Sequence, residues 1–284
     1  MNSERTQPVS SPPATSAALA SPGLEDRLRG AGFREVTLAA ERLRQLFAPP
    51  QPDTVWQVVF PTLLVCLADS AQPDHTLLNF ERFVHNVPDR AALWQTLGTN
   101  PRGIEILIRL FIGSQFLTDI LLCNPGYLDR LMEQKRLADL KSVQQLYIEA
   151  QGAQLGISDP EAQLDALRRF QRWELLRIGL CDFFGLFDLR RVTTQLSLLA
   201  DALTRACLTH SCADSDPSEE GFCVIAMGKL GGEELNYSSD IDLLFLAENN
   251  SSTHWRIGQK LIKALTGVSA VSPANPQAWS TSEQ

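Results

Sequence analysis

The segment covering residues 221–248 constrains the fold more than any other part of the chain. It reads GFCVIAMGKLGGEELNYSSDIDLLFLAE. One apolar run, residues 222–227, ends at a glycine cluster, and a second, residues 243–247, follows a polar insert. Short apolar runs bounded by glycines and polar residues are typical of β-strands. We therefore expect a strand, a tight glycine-rich turn and a second strand.

Two aspartates stand at the head of the second apolar run, with one isoleucine between them. Side chains at i and i+2 of a strand point to the same face, so Asp240 and Asp242 would project together while Ile241 faces the core. Neighbouring carboxylates repel unless cations lie between them, and paired divalent metal ions on a nucleotide's phosphates, ~3.5–4 Å apart, supply such cations. The pattern indicates phosphoryl or nucleotidyl transfer. The alternative is a tight bend that merely exposes an Asp-x-Asp.

The glycine cluster fits phosphate chemistry. Gly228, Gly231 and Gly232 lack a Cβ atom, so their backbone N–H groups could approach phosphate oxygens closely. A helix starting after the glycines would add a favourable dipole, and we expect a short helix to begin at residues 233–235.

Three polar side chains flank this cluster. Lys229 would reach a phosphate as a point charge, or it would be an ordinary surface lysine. Ser238 and Ser239 would either hydrogen-bond a phosphate or cap the turn. Serine hydroxyls commonly bond to nearby backbone groups in turns, which favours the capping role.

Residues 227–243 resemble a known superfamily pattern. They spell Met-Gly-Lys-Leu-Gly-Gly-Glu-Glu-Leu-Asn-Tyr-Ser-Ser-Asp-Ile-Asp-Leu. This run resembles the nucleotidyltransferase superfamily, in which a turn of Gly followed by Gly or Ser precedes Asp-x-Asp on the next strand. Within that superfamily it resembles the glutamine synthetase adenylyltransferase family. Residues 234–242 are similar to the N-terminal, adenylyl-removing copy of the motif in that two-part family. The resemblance extends upstream through residues 78–83, 100–131 and 167–188.

The resemblance implies an enzyme that removes AMP from a tyrosine of adenylylated glutamine synthetase. Phosphate would attack the α-phosphorus, giving ADP and a phenolate leaving group whose conjugate acid has a pKa of about 10. Positioning and charge neutralisation can carry most of such catalysis. The full-length family enzyme also adds AMP from ATP and responds to the PII signalling protein. The resemblance assigns Mg²⁺ to Asp240 and Asp242. The candidate nucleotide- or phosphate-binding residues are Gly228, Lys229, Gly231, Gly232, Ser238 and Ser239.

Composition restricts the class of protein. The 284 residues carry a net charge of −8 and a pI near 5.1, which argues against a nucleic-acid-binding surface because phosphate-neutralising proteins are usually basic. Six scattered cysteines, mostly within apolar helical patterns, suggest buried free thiols in a reducing compartment, and we expect a cytoplasmic protein. Residues 104–123 are apolar but interrupted by charged residues, so they predict a buried helix rather than a membrane span.

The chain divides by composition and periodicity. Residues 1–23, rich in Ser, Pro and Ala, predict a disordered tail, and residues 24–210 predict a helical domain. After a polar loop over residues 211–220, residues 221–268 predict a partial nucleotidyltransferase catalytic domain, and residues 269–284 predict a second disordered tail. The fold class is therefore α+β, a mostly α-helical N-terminal region followed by an incomplete nucleotidyltransferase-fold β-sheet segment.

Within the helical region, apolar spacing and capping residues locate individual helices. Asp159 followed by Pro160 predicts a helix start, and Asp188 predicts the start of the last long helix. Shorter helices are predicted over residues 53–67, 77–83, 90–97, 102–123 and 126–132. Apolar stripes are predicted at Leu164, Leu167, Phe170, Trp173, Leu176 and Leu180, and at Val192, Leu196, Leu199, Leu203 and Cys207.

Arginines are concentrated on the two long helices. The favoured interpretation is solvated helix faces with acidic partners such as Glu174, Asp182 and Asp188. The alternative is that some arginines meet phosphate or an acidic partner enzyme. The residues concerned are Arg168, Arg169, Arg172, Arg177, Arg190 and Arg191.

The sequence departs from the superfamily pattern in one respect. A third carboxylate on a later strand normally completes the metal site, whereas Glu248 lies about 20 Å along an extended strand from Asp242 and Glu283 lies in the final polar tail. This tail resembles a truncated or frameshifted reading frame. Two alternatives to a catalytic adenylyl-removing domain therefore remain: an inactive fragment that acts as a helical docking module, and a nucleotidyltransferase for small molecules such as aminoglycosides.

Overall fold

The computed structural model describes residues 23–48, 53–133, 136–212, 221–248 and 252–269. The predicted tails, 1–23 and 269–284, lie outside these ranges except at Gly23 and Ser269, which are helix ends. Helices come first and one antiparallel strand pair follows, so the predicted α+β class is confirmed. The chain forms two compact units, Met1–Leu128 and Asp129–Gln284. The predicted domains, residues 24–210 and 221–268, instead separate the helical part of the chain from the part that contains the strands. This division into domains stays a prediction.

Helices are the regular secondary structure of the described residues in the first unit, and short turns connect them. The predicted helices over residues 53–67 and 90–97 are present and one or two residues longer than predicted, whereas the helix predicted over residues 77–83 extends from Pro73 to Asn86, twice the predicted length. Aromatic side chains from three segments meet in the core, with ring centroids 4.4 Å apart for Phe47 and Trp56 and 4.9 Å apart for Trp56 and Trp94. The helices are α1 (Gly23–Gly30), α2 (Val36–Leu46), α3 (Asp53–Ala68), α4 (Pro73–Asn86), α5 (Arg90–Thr99), α6 (Arg102–Gly113) and α7 (Gln115–Cys123).

The prediction of one helix over residues 102–123 is wrong. The chain leaves the helix at Ser114, whose backbone is extended with φ −154° and ψ 113°. Ser114 Oγ accepts a hydrogen bond from Leu117 N at 3.3 Å, which satisfies one of the free N–H groups at the start of α7. Both helices still bury their apolar faces, as predicted. None of the described helices is long and apolar enough to cross a bilayer.

The second unit contains three helices of 12, 24 and 24 residues, then a strand pair, and then a final helix of 18 residues. Asp159 caps its helix by accepting from Ala162 N at 2.9 Å, and Asp188 accepts from Arg191 N at 2.8 Å, as predicted. The last long helix continues through Ser211 to Cys212, two residues into the predicted loop; residues 213–220 lie outside the described ranges. After α8 (Tyr127–Glu133), which contains the unit boundary, come α9 (Val143–Gln154), α10 (Pro160–Phe183), α11 (Leu189–Cys212), β1 (Phe222–Met227), α12 (Gly228–Gly231), β2 (Asp242–Ala247) and α13 (Ser252–Ser269).

Both predicted apolar stripes are buried, but one arginine is not on a solvated face. Arg177 is fully buried on α10 and forms an ion pair with Glu174, also fully buried, at 2.8 Å. Lys141 reaches the other oxygen of Glu174 at 2.8 Å, and Arg177 also donates to Gln195 Oε1 at 3.2 Å. The expectation of solvated arginines is therefore wrong at Arg177, because this side chain finds its partners inside the helix packing.

The cysteines are less uniformly buried than the helical pattern predicts. All six are free thiols. Cys181 and Cys207 are buried, whereas Cys123 and Cys223 are exposed. The prediction fails at Cys223 because it lies on the outer face of β1, where alternate residues point away from the core.

Candidate functional site

The strand pair brings the two ends of the motif together. β1 and β2 run antiparallel, with Met227 opposite Asp242 and Phe222 opposite Ala247. Met227, the last residue of β1, therefore lies beside Asp242, the first residue of β2, although fourteen residues separate the two in the chain. This register places the glycine cluster next to the aspartates.

The two aspartates flank a buried side chain, as strand alternation predicts. Ile241 is 3% exposed, whereas Asp240 and Asp242 are both exposed. Asp242 begins β2, and Asp240 lies just before it. The pair thus presents carboxylate oxygens to solvent from one end of the strand pair, supported from beneath by the core.

Two of the three glycines are required by close packing. Gly228 has φ +54°, and a Cβ atom there would lie 2.5 Å from Asp242 Oδ2. A Cβ on Gly231 would lie 2.6 Å from the backbone oxygen of Ala226. A Cβ on Gly232 would lie 3.7 Å from its nearest neighbour, the backbone oxygen of Gly228, which is an ordinary contact distance. The turn therefore needs glycine at the first two positions for its own geometry, because these neighbours occupy the space of a side chain.

The predicted short helix at residues 233–235 is wrong. The helical turn is α12, made by the glycine cluster itself, and Gly232 N donates to Gly228 O at 3.1 Å at its end. Glu233 then adopts φ +56°, which is incompatible with a right-handed helix start. The helix forms earlier than predicted because the glycines tolerate the tight approach to β1 and β2.

The polar side chains around the aspartates form a turn. Ser239 is buried and accepts from Asn236 N at 3.1 Å, while Ser239 N donates to Asn236 O at 3.2 Å. Ser238 N donates to Asn236 Oδ1 at 3.0 Å. Lys229 is exposed, and its Nζ lies 3.5 Å from Ser239 Oγ, one residue before Asp240. The capping role expected for serine is thus seen at Ser239, and Lys229 lies next to the aspartate segment.

Two helices hold this turn, through residues that the motif analysis did not assign. Leu235 N donates to Ser197 Oγ of α11 at 3.1 Å, and Tyr237 Oη donates to Asp182 Oδ2 of α10 at 3.2 Å. Burial raises the pKa of the Tyr237 phenol, and the Asp182 carboxylate raises it further. Tyr237 stands inside the motif, so its position was visible in the sequence, but nothing in the spacing of Ser197 or Asp182 marks either residue.

A further carboxylate on α11 lies close to the turn. Burial raises the pKa of Asp201, and the nearby charge of Glu233 raises it further. Sequence reasoning missed this pair, since the two residues are brought together only by packing of the turn on the helix.

Glu248 lies at the opposite end of the strand pair from Asp242. Its backbone N donates to Gly221 O at 2.8 Å, beyond the Phe222–Ala247 pair. Among the described residues, no group of three or more His, Cys, Asp or Glu side chains is arranged to hold a metal ion. Two carboxylates remain a suitable partial donor set, because Mg²⁺ commonly takes one or two carboxylates together with water and substrate phosphates.

Comparison with known proteins identifies the family. The family model described as glutamate-ammonia ligase adenylyltransferase matches residues 104–272. The chain belongs to this family. The matched region includes α10, α11 and the strand pair, so the exposed aspartates lie within the family's shared sequence.

Curated members of the adenylyltransferase family are much longer than this chain. The bifunctional glutamine synthetase adenylyltransferase/adenylyl-removing enzyme of Neisseria meningitidis serogroup B is 31% identical over 257 residues, 86% of this chain and 28% of the relative. The enzyme of the same name from Thioalkalivibrio sulfidiphilus is 28% identical over 272 residues, 85% of this chain and 27% of the relative. The chain therefore spans little more than a quarter of these relatives.

Proposed function

We propose that this chain carries the adenylyl-removing site of a nucleotidyltransferase that regulates glutamine synthetase. The reaction is metal-dependent phosphorolysis of an adenylylated tyrosine, with ADP as product. Family membership supports the reaction class, and the names of the relatives support glutamine synthetase as target. The observation that carries the proposal is the exposure of Asp240 and Asp242 on either side of buried Ile241, directly beside Gly228.

The proposed metal ligands are Asp240 and Asp242. Their carboxylate oxygens are the hard donors that Mg²⁺ prefers, and the absent Cβ of Gly228 leaves room for Asp242 Oδ2. Bound Mg²⁺ would supply Lewis-acid chemistry there, by neutralising charge on the phosphate groups. The described residues after Asp242 contain one acidic side chain, Glu248, at the far end of the strand pair. We therefore expect any third carboxylate to come from outside the described residues.

Other residues at the site would orient and neutralise the substrate. Lys229 carries an ammonium group beside Ser239 and can meet a phosphate oxygen as a point charge. Gly228, Gly231 and Gly232 have no Cβ atoms, so this is the stretch of backbone that we expect to lie closest to a nucleotide's phosphates. Ser238 donates its backbone N–H within the turn, so its hydroxyl is the group we expect to face phosphate. No side-chain nucleophile is needed, because phosphate itself attacks.

The proposed setting follows from the same reasoning. We expect phosphate, ADP and ATP as small-molecule partners, and the PII signalling protein as a regulator of the longer family enzyme. The net charge of −8 does not suit a nucleic-acid surface. Six free thiols suit the reducing cytoplasm, where we expect the reaction to take place.

An assay of ADP release tests this function. Purified chain is incubated with adenylylated glutamine synthetase, phosphate and Mg²⁺, and ADP is measured. Asp240→Asn and Asp242→Asn should each lower the rate about a hundredfold or more, because metal ions contribute several kcal/mol of charge stabilisation. Glu248→Gln removes one carboxylate from the other end of the same strand pair and should leave the rate unchanged.

The alternatives predict different outcomes. A chain that binds adenylylated glutamine synthetase but releases no ADP at any concentration would be a docking module without catalysis. A chain that instead transfers a nucleotidyl group from ATP to an aminoglycoside would be a small-molecule enzyme. Loss of activity in Glu248→Gln equal to that in Asp242→Asn would contradict the assignment of the metal to one end of the strand pair.

A further inference from the structure

The segment between α12 and β2 is tied to the helices at two separate points. Leu235 is fully buried, and its N–H donates to Ser197 Oγ, 38 residues away in the chain. Two residues later, Tyr237 Oη donates to Asp182 Oδ2, 55 residues away. The two contacts reach different helices, α11 and α10, so they restrain the segment in more than one direction.

The hydroxyl of Ser197 on α11 is oriented to accept the hydrogen bond from Leu235 N–H. Ser197 is fully buried and donates its own hydroxyl proton to Thr193 O at 2.9 Å. A serine hydroxyl that donates in this direction keeps its lone pairs for an incoming N–H group. Leu235 N–H fills this acceptor, so removal of the hydroxyl would leave a buried donor without its partner.

Between these contacts and Asp240, the chain forms the compact turn described above. Asn236 and Ser239 exchange two hydrogen bonds, N–H to Oγ at 3.1 Å and N–H to O at 3.2 Å. Ser239 is buried, and Asp240 follows it directly. Residues 235–237 are therefore connected to Asp240 through a hydrogen-bonded turn.

We propose that Ser197 and Tyr237 are positioning residues for Asp240, because their hydrogen bonds hold the turn on α11 and α10 so that the carboxylate stays on the face shared with Asp242. The catalytic consequence rests on the function proposed above, whereas the order of the turn does not depend on it. The raised pKa of the Tyr237 phenol keeps the hydroxyl protonated, and hence a donor, across the range in which the protein would work.

Hydrogen–deuterium exchange tests the order of the turn without any assay of activity. In Tyr237→Phe, the amides of residues 235–240 should exchange about fivefold faster, as expected from loss of one hydrogen bond. Asp182→Ala should give the same increase, and the double variant should be no faster than either single variant. Asp182→Asn keeps an oxygen acceptor and should exchange at nearly the wild-type rate. Ser197→Ala should raise exchange independently, and its effect should add to that of Tyr237→Phe.

Tyr147→Phe is the matched control. Tyr147 lies on α9 in the same unit, and its hydroxyl hydrogen-bonds with Thr209 and Gln151 at 3.2 Å and 2.7 Å. Like Tyr237→Phe, Tyr147→Phe removes a single hydrogen-bonded phenolic hydroxyl, but at a residue far from the motif in the chain. Residues 235–240 should keep the wild-type exchange rate in this variant. Equal acceleration in Tyr147→Phe and Tyr237→Phe would show general loosening and overturn the proposal, as would unchanged exchange in Tyr237→Phe.

Kinetics separate positioning from substrate contact. With adenylylated glutamine synthetase, Tyr237→Phe should lower kcat about fivefold and leave KM unchanged, while Asp182→Asn retains kcat. A raised KM with unchanged kcat would show instead that the hydroxyl binds substrate, and equal loss in Asp182→Asn would show that the hydrogen bond is not the cause; either overturns the proposal. If wild-type chain releases no ADP, the proposed function fails, and the exchange rates alone decide whether these residues order the turn.

Discussion

The carboxylate of Asp242 occupies space that a side chain on Gly228 would need. Oδ2 of Asp242 lies 2.5 Å from the position of a Cβ atom on Gly228, whose φ is +54°. The antiparallel register brings them together, because Met227 lies opposite Asp242 and Gly228 follows Met227. The position of the Asp242 carboxylate therefore depends on the absence of a side chain at Gly228.

Gly228→Ala should affect activity more than it affects folding. The new Cβ would displace the end of a flexible carboxylate and would also hold alanine at a positive φ, at a cost of about 1–2 kcal/mol in stability. We expect ADP release to fall at least about tenfold, since displacement of a metal ligand by 1 Å is enough to lose such a factor. Urea unfolding and ADP release measured on the same preparations check both parts.

Gly152→Ala serves as the control for that substitution. Gly152 lies in α9, and a Cβ there would meet no heavy atom within 4 Å. Alanine in a helix is favoured over glycine by about 0.5–1 kcal/mol, so stability should rise slightly and ADP release should not change. Full activity in Gly228→Ala would contradict the role given to the glycine–aspartate contact.

Glu174→Ala should be among the most destabilising single changes in the second unit. It removes the common partner of Arg177 and Lys141, and it leaves the fully buried Arg177 guanidinium without its carboxylate. Breaking a buried pair on one side costs about 3–5 kcal/mol. The free energy of unfolding from urea titration is the measurement.

Glu149→Ala is the control for Glu174→Ala, because both glutamates form an ion pair with Lys141. Glu149 contacts Lys141 Nζ at 2.5 Å, but its side chain is 40% exposed. Exposed ion pairs contribute about 0–1 kcal/mol, so this variant should stay close to the wild type. Similar losses in the two variants would mean that the burial of Arg177 does not matter to stability.

Asp201→Asn should stabilise the chain near neutral pH and lose this advantage in acid. The pKa of Asp201 is raised in the folded state, by burial and then by Glu233, so folding disfavours the ionised form. Above the folded pKa both states are ionised and the penalty is fully present. Below the ordinary value of 3.8 both states are neutral and the penalty is absent.

The measurement is the difference in unfolding free energy between Asp201→Asn and wild type as a function of pH. This difference should be constant at neutral pH and decline as pH falls from the folded pKa towards 3.8. Glu233→Gln should give a smaller gain in the same direction, because it removes only the second cause of the shift. A gain that persists unchanged below pH 3.8 would exclude ionisation as the cause.

Much of the helical architecture follows from the sequence. The stripes on α10 and α11 predict the buried faces because apolar residues recur every three to four positions, and Asp159 and Asp188 predict helix starts because their side chains can accept from free N–H groups. The break at Ser114 was not predicted. Apolar residues continue across it, so periodicity alone contains no signal for the interruption.

Part of the candidate site was also predictable. Exposed Asp240 and Asp242 around buried Ile241 follow from alternation along a strand, which is a local property. The sequence predicts the short helix too late in the chain, because the tight packing of Gly228 against Asp242 and of Gly231 against Ala226 depends on contacts that the sequence does not show. Roles in catalysis, metal binding and phosphate binding stay predictions.

By itself, the sequence determined the α+β order, the family and the two exposed aspartates on either side of buried Ile241. These depend on periodicity and on a contiguous motif, and both can be read along the chain. Only the tertiary structure decided that Gly228 packs on Asp242, that Arg177 is buried with Glu174, and that Ser197 and Asp182 hold the turn before Asp240. Contacts between the turn and the two long helices depend on how separate elements pack, and no local pattern of residues specifies that packing.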